Sequence, residues 1–219
     1  MVAACAGGHV ASMDPVSSRR AVTITTTACG HSSHTVGTGI VIESGVVLTA
    51  AHVVIGSTNL VIDNGLPAVL TRLDPARDLA SLAVTTADFA PVEYGDLSHG
   101  QTVAVATAPH SEPVDLVVDS HATLSIDDVR GKLRHDRGGY ALSGRIAPGD
   151  SGAGLFANNR LAGLVFAVAS DAEAASYATD ASEIVSFLAT PDTERFRCDP
   201  ERSRVVTRST PLGDEVIAD

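Results

Sequence analysis

The chain has 219 residues, 44% hydrophobic and 19% charged, enough apolar material for a packed core and too much for a disordered chain. Its 26 acidic and 15 basic residues leave a net charge of −11, which argues against nucleic acid or an anionic membrane surface as the main partner. Trp is absent and aromatic residues make up 4%, so the core must come from Val, Ala, Leu and Ile, which suits short, closely stacked strands.

No stretch reaches the roughly 20 apolar residues of a membrane helix. The first thirteen residues are small and apolar but lack a basic region, so they do not make a complete signal peptide. Val2-Ala3-Ala4-Cys5 resembles a bacterial lipobox, which would tether the chain to a membrane through its N-terminus. The alternative is an unstructured leader, or the end of a signal begun further upstream. Residues 1–21 are therefore read as a flexible segment.

Strand signals then dominate. Val22–Thr27 is a Thr-rich, β-branched run, and Val36–Glu43 and Val46–Thr49 flank Ser44-Gly45, a tight hairpin turn. Leu60–Ile62, Ala68–Leu73 and Leu79–Val84 follow, separated by Asn64-Gly65 and Asp74-Pro75. A second series covers Thr102–Ala106, Val114–Ile126, Gly139–Ile146, Gly152–Phe156, Leu161–Ala169 and Ser176–Thr179. Short strands at this spacing predict an all-β sandwich or barrel. Asp180 and Glu183 form a D-x-x-E capping pattern ahead of the apolar stripe Ile184, Val185 and Leu188, and Pro191 ends that helix. The weakly patterned Tyr94–Gly100 reads as a linker between two halves, 22–95 and 96–190. Residues 191–219 carry five Arg and seven acids with little periodicity, and read as a charged tail.

Cys5, Cys29 and Cys198 are few and odd in number. In an oxidising compartment the expected pair is Cys29 with Cys198, which would close a loop of about 170 residues. Three free thiols are the alternative. Cys29, His31 and His34 cluster like zinc ligands, but their spacing is irregular and no fourth ligand is evident, so a polar surface loop is the reading adopted. His99, His110, His121 and His135 are scattered and are assigned no role.

Three segments carry chemistry. Leu48–Val54 places His52 at the end of an apolar strand, Asp78–Val84 opens a strand with Asp78, and Pro148–Gly154 places Ser151 in a Gly-rich loop. A hydroxyl is a poor nucleophile at neutral pH. It needs an imidazole to take its proton and a carboxylate to orient that imidazole. The developing oxyanion needs backbone N–H donors, here those of Gly149 and Ser151. By itself His52 reads as a core histidine; beside the Asp78 and Ser151 segments it reads as a general base. Asp74 precedes Pro75 and reads as a turn residue, and Asp88 lies past the apolar run, which leaves Asp78 as the carboxylate. An α/β-hydrolase would need a His after the Ser; none follows His135, and Ala153 breaks the G-x-S-x-G elbow.

The T-A-A-H strand end, D-L-A-S-L-A-V and G-D-S-G, in that order, resemble the trypsin-like (chymotrypsin-fold) serine proteases over about residues 22–190. The short spacings are similar to compact bacterial members, particularly periplasmic actinobacterial proteases that carry paired terminal cysteines. The resemblance implies two six-stranded Greek-key β-barrels with a short C-terminal helix. It implies catalysis by His52, Asp78 and Ser151 at the barrel junction, a peptide or protein substrate, no cofactor, no metal, and an extracytoplasmic monomer. It also implies a substrate pocket that includes Arg145, six residues before the nucleophile, and Phe166, Ala167 and Val168. With no acidic residue there and a branched Val168 at the mouth, small or medium apolar residues are expected before the scissile bond. The sequence reads G-D-S-G-A-G where the family reads G-D-S-G-G-P, and no I-V-G-G-like start precedes the first barrel. Activation by a new N-terminal amine reaching Asp150 is therefore not expected, and Asp150 is given a loop role or an Arg partner. An inactive homologue that only binds peptide is the rival from another functional class.

Overall fold

A computed structural model describes residues 19–28, 34–63, 65–85, 88–108, 114–127, 133–168 and 175–190. Cys5, Cys29, Cys198, His31 and His110 lie outside them, so the cysteine pairing, the zinc-like cluster, the lipobox and the C-terminal tail do too. The first six strands are β1 (Ala21–Ala28), β2 (His34–Glu43), β3 (Val46–Ala50), β4 (Ser57–Ile62), β5 (Leu66–Asp74) and β6 (Leu79–Val84). They close into a barrel in the order β1-β2-β3-β6-β5-β4. The β2–β3 hairpin turns at Ser44-Gly45, where Gly45 has φ 81°. Left-handed backbone of this kind is what Gly supplies without steric cost.

The second sheet comprises β7 (Glu93–Tyr94), β8 (Thr102–Ala106), β9 (Val114–Asp127), β10 (Arg134–Ser143), β11 (Gly154–Ala157), β12 (Arg160–Val168) and β13 (Ala175–Asp180). Strands β8, β9, β10, β13, β12 and β11 form a ring closed by the β11–β12 pair. Tyr94, the first residue of the stretch read as a linker, instead joins Glu93 in a short strand that pairs in parallel with β12. Strand β10 begins five residues earlier than the sequence pattern indicated, because Arg134–Gly138 pair with β9 despite their polarity.

Two helices complete the described residues, the single turn α1 (Ala51–Val54) and α2 (Ala181–Ala189). The Asp180 carboxylate accepts the Glu183 N–H at 3.0 Å, capping α2 as the D-x-x-E pattern predicts. Glu183 does not return the bond to Asp180. It accepts from the Gly138 N–H of β10 at 3.0 Å and from Arg77 at 2.8 Å, so the cap also ties the helix to both barrels.

Period-2 alternation explains how thin, apolar strands hold this arrangement. Val41 and Val47 point into the first barrel, whereas their neighbours Ile40, Ile42 and Leu48 point out of it into a separate cluster. In β12, Ala162 and Val165 fill the second barrel while Leu161 and Leu164 join the same outer cluster. Phe156, Ile184 and Phe187 complete this seam between the barrels and α2. Strands buried on both faces read as continuous apolar runs rather than alternating ones. Burying each large side chain contributes roughly 1.5–3 kcal/mol.

Candidate active site

His52 sits in α1, the turn that directly follows β3. Its position is set by main chain before its side chain acts: the Ala51 N–H donates to the Asp78 carbonyl at 3.1 Å, and the His52 N–H donates to Asp78 Oδ1 at 2.9 Å. The imidazole Nδ1 then lies 2.8 Å from Asp78 Oδ2, with His52 11% and Asp78 2% exposed. The carboxylate oxygen can only accept, so Nδ1 is assigned the proton and Nε2 the lone pair. Asp78 opens β6 at φ 54°, a left-handed conformation that Asp tolerates better than most residues and that turns its carboxylate toward α1. Asp74 occupies the preceding turn, accepting from the Ala76 and Arg77 N–H groups at 3.0 and 3.1 Å and pairing with Arg77, while Asp88 is exposed.

Ser151 is 5% exposed and lies in the loop between β10 and β11. That loop is fastened to the first barrel. Thr38 of β2 donates its N–H to the Ser151 carbonyl and its hydroxyl to the Gly149 carbonyl, each at 2.8 Å. Gly152, at φ 89°, stands so close to β2 and β3 that a Cβ there would collide with the Thr38 carbonyl and the Thr49 hydroxyl. Its missing side chain is what lets the Ser151 loop press onto the strand end that leads into His52. Asp150 shapes the loop internally, with Oδ2 accepting the Ala147 N–H at 2.7 Å. The Asp150 and Gly152 N–H groups turn back to the carbonyls of Ala147 and Val165, at 3.0 and 2.8 Å, and Gly149 is left-handed at φ 97°.

Of the expected pocket residues, Arg145 is exposed and Phe166 is buried. Ala167 and Val168 pair with Tyr177 and Ser176 across β12 and β13. The Phe166 ring carries an unexpected cover, the Arg137 guanidinium, 4.3 Å from its centroid. Arg137 is 3% exposed and donates to the Ala76 carbonyl at 3.4 Å, two residues before Asp78. Sequence reasoning missed Arg137 because it lies in the polar run Arg134–Arg137. Its one signal was a cation directly ahead of two strand glycines, Gly138 and Gly139.

A family model for the trypsin-like peptidase domain matches residues 37–167, which hold His52, Asp78 and Ser151. The chain belongs to the trypsin-like peptidase domain family. It is 30% identical over 163 residues to the Mycobacterium tuberculosis serine proteases MT3772 and Rv3671c, covering 70% of this chain and 41% of each relative. The chain thus spans about two fifths of the length of these curated relatives. The crystal structure of the active form of the M. tuberculosis Rv3671c protease superposes with a TM-score of 0.75 at 27% identity, over 84% of this chain and 88% of that one. For the inactive form the score is 0.66 at 26% identity, over 80% and 91%. The MamO protease domain of Magnetospirillum magneticum gives 0.64 at 19% identity, over 80% and 99%, and shares the fold. Among the described residues of this trypsin-like chain, no cluster of His, Cys, Asp and Glu could hold a metal ion and no helix is long and apolar enough to cross a membrane.

Proposed function

We propose that this chain is a serine endopeptidase that works through an acyl-enzyme on Ser151. The observation that carries the reading is the 2.8 Å contact between His52 Nδ1 and the buried carboxylate of Asp78. It turns Nε2, the basic nitrogen, away from Asp78. The loop bearing Ser151 is fastened beside the strand end that precedes His52.

Ser151 Oγ attacks the peptide carbonyl carbon as His52 Nε2 takes its proton. The N–H groups of Gly149 and Ser151 stabilise the oxyanion of the tetrahedral intermediate. Asp78 holds the imidazolium without taking its proton. His52 returns the proton to the leaving amine, the C–N bond breaks, and the acyl group stays on Ser151. Water then attacks the ester, with His52 again as base, which frees the acid and restores the hydroxyl. No cofactor enters these steps.

Residues 22–95 and 96–190 make the two halves of the catalyst, and the protein works as an extracytoplasmic monomer on peptide or protein substrates. The lipobox-like Val2–Cys5 and the terminal cysteines support that location. The likeness to the active form of the tuberculosis enzyme supports a competent site. Arg145, Phe166, Ala167 and Val168 line the region before the scissile bond, and small or medium apolar residues are preferred there.

A fluorophosphonate probe tests the central claim. Wild-type protein should label at Ser151 and Ser151→Ala should not. A folded wild-type protein that takes up no label, but binds peptide, would make this chain a binding module.

A further inference from the structure

Arg137 is buried between the barrels, and the chemistry proposed above does not use it. Four elements face this region. The β5–β6 turn brings Asp74, Arg77 and Asp78; α1 brings His52; α2 brings Glu183; and Asp180, capping α2, is paired with His121 of β9. Arg77 is committed to two of these acids, reaching Asp74 Oδ2 at 2.6 Å and Glu183 Oε2 at 2.8 Å. The second guanidinium, Arg137, reaches the same turn through the Ala76 carbonyl, two residues before Asp78.

Asp74, Asp78 and Glu183 set three negative charges against the two of Arg77 and Arg137. The group is therefore one charge negative while His52 is neutral, and balanced when His52 holds a proton. Burial pulls the Arg137 guanidinium below its ordinary value, and the nearby carboxylates, Asp78 foremost, draw it back up. A guanidinium stays charged even so.

We propose that Arg137 is a positioning residue of the reaction: stacked on Phe166 and bonded to the Ala76 carbonyl, its guanidinium sets a positive charge beside the His52–Asp78 pair and so holds down the basicity of His52. The proposal rests on His52 and Asp78 serving as the proposed catalytic pair. Its position also joins the β12 strand to the acid, since the same planar group covers the Phe166 ring.

Removing the cation leaves a more negative surrounding, which favours the imidazolium. In Arg137→Met, His52 should then hold its proton about one pH unit higher than in wild type, because a like charge near the imidazolium is gone. Arg137→Lys keeps the charge and should stay close to the wild-type value. The readout is the imidazole Cε1–H titration of His52 by NMR, assigned with His52→Ala, together with the acidic limb of the kcat/KM profile. The NMR reading does not depend on turnover. A shift in Arg137→Met in a protein with no peptidase activity would support this inference and sink the proposed function. An active enzyme whose His52 titration stays unmoved in Arg137→Met would overturn the inference and leave the function standing. If Arg137→Met does not fold, Arg137→Gln carries the same comparison. If no variant folds, Lys included, Arg137 is scaffold alone and the proposal fails.

Discussion

The Thr38 N–H meets the Ser151 carbonyl at 2.8 Å, so the nucleophile loop of the second barrel is hydrogen-bonded to a strand of the first. The Thr38 hydroxyl adds a bond to the Gly149 carbonyl two residues earlier. Thr38→Val keeps the shape and the N–H but leaves that carbonyl without the hydroxyl. The acceptor is partly buried, so losing this partner should cost about 1 kcal/mol. We expect unfolding to move by that amount and kcat to fall more than KM rises, checked by denaturant titration and steady-state kinetics.

Gly152→Ala is a harsher change at the same contact. The backbone is left-handed at φ 89°, and the new methyl would collide with the Thr38 carbonyl. Strain and collision together should cost more than about 3 kcal/mol. The expected result is loss of soluble folded protein, or a folded protein that the fluorophosphonate no longer labels. A variant as stable and as reactive as wild type would contradict the tight docking of this loop.

Asp78→Asn tests the orientation of His52. An amide NH2 turned toward Nδ1 would favour the tautomer with the proton on Nε2, the wrong nitrogen for a base. We expect activity to fall by about 10⁴-fold with little change in melting temperature. A loss of tenfold or less would remove Asp78 from the proposed chemistry.

Asp180 provides a pH test away from the site. Burial pushes its carboxyl up, but the bonds from His121, Ser182 and the Glu183 N–H outweigh this and hold it below the ordinary 3.8. A carboxylate depressed in the folded state stabilises the protein above its unfolded value and loses that effect as pH falls through the folded one. Asp180→Ala should therefore cost about 1–2 kcal/mol at pH 7. The difference from wild type should narrow as the pH drops below 3.8. Urea titrations across that range would measure it, and a gap independent of pH would refute it.

Local pattern carried much of the fold. Val46–Thr49 and Leu79–Val84 read as strands because continuous β-branched and aliphatic runs are what doubly buried strands need, and the first runs on to Ala50 in the structure. The cap at Asp180 follows from its D-x-x-E spacing, whereas the closure of the first six strands was implied by the family resemblance and not by local pattern. Arg134–Gly138 escaped because its pairing with β9 is main-chain hydrogen bonding, to which side-chain polarity gives no clue. At the site, His52 and Asp78 were legible as strand-end residues in distinctive sequences, and the structure brings them into contact. Arg137 was not, since its partners come from residues 76 and 166, too distant along the chain for any local pattern to announce.

Helix α2 follows the second barrel in the chain, yet the carbonyls of Leu188 and Thr190 at its end receive the guanidinium of Arg72, from β5 in the first. Ala90 and Val92 are still bonded to the first barrel, so the polypeptide passes to the other half at β7 and returns at its far end. A cut in that crossing would yield two fragments still stitched along a shared apolar surface and by the returning helix. Such a nicked molecule should stay in one piece until denatured, and the separated fragments should reassemble when mixed.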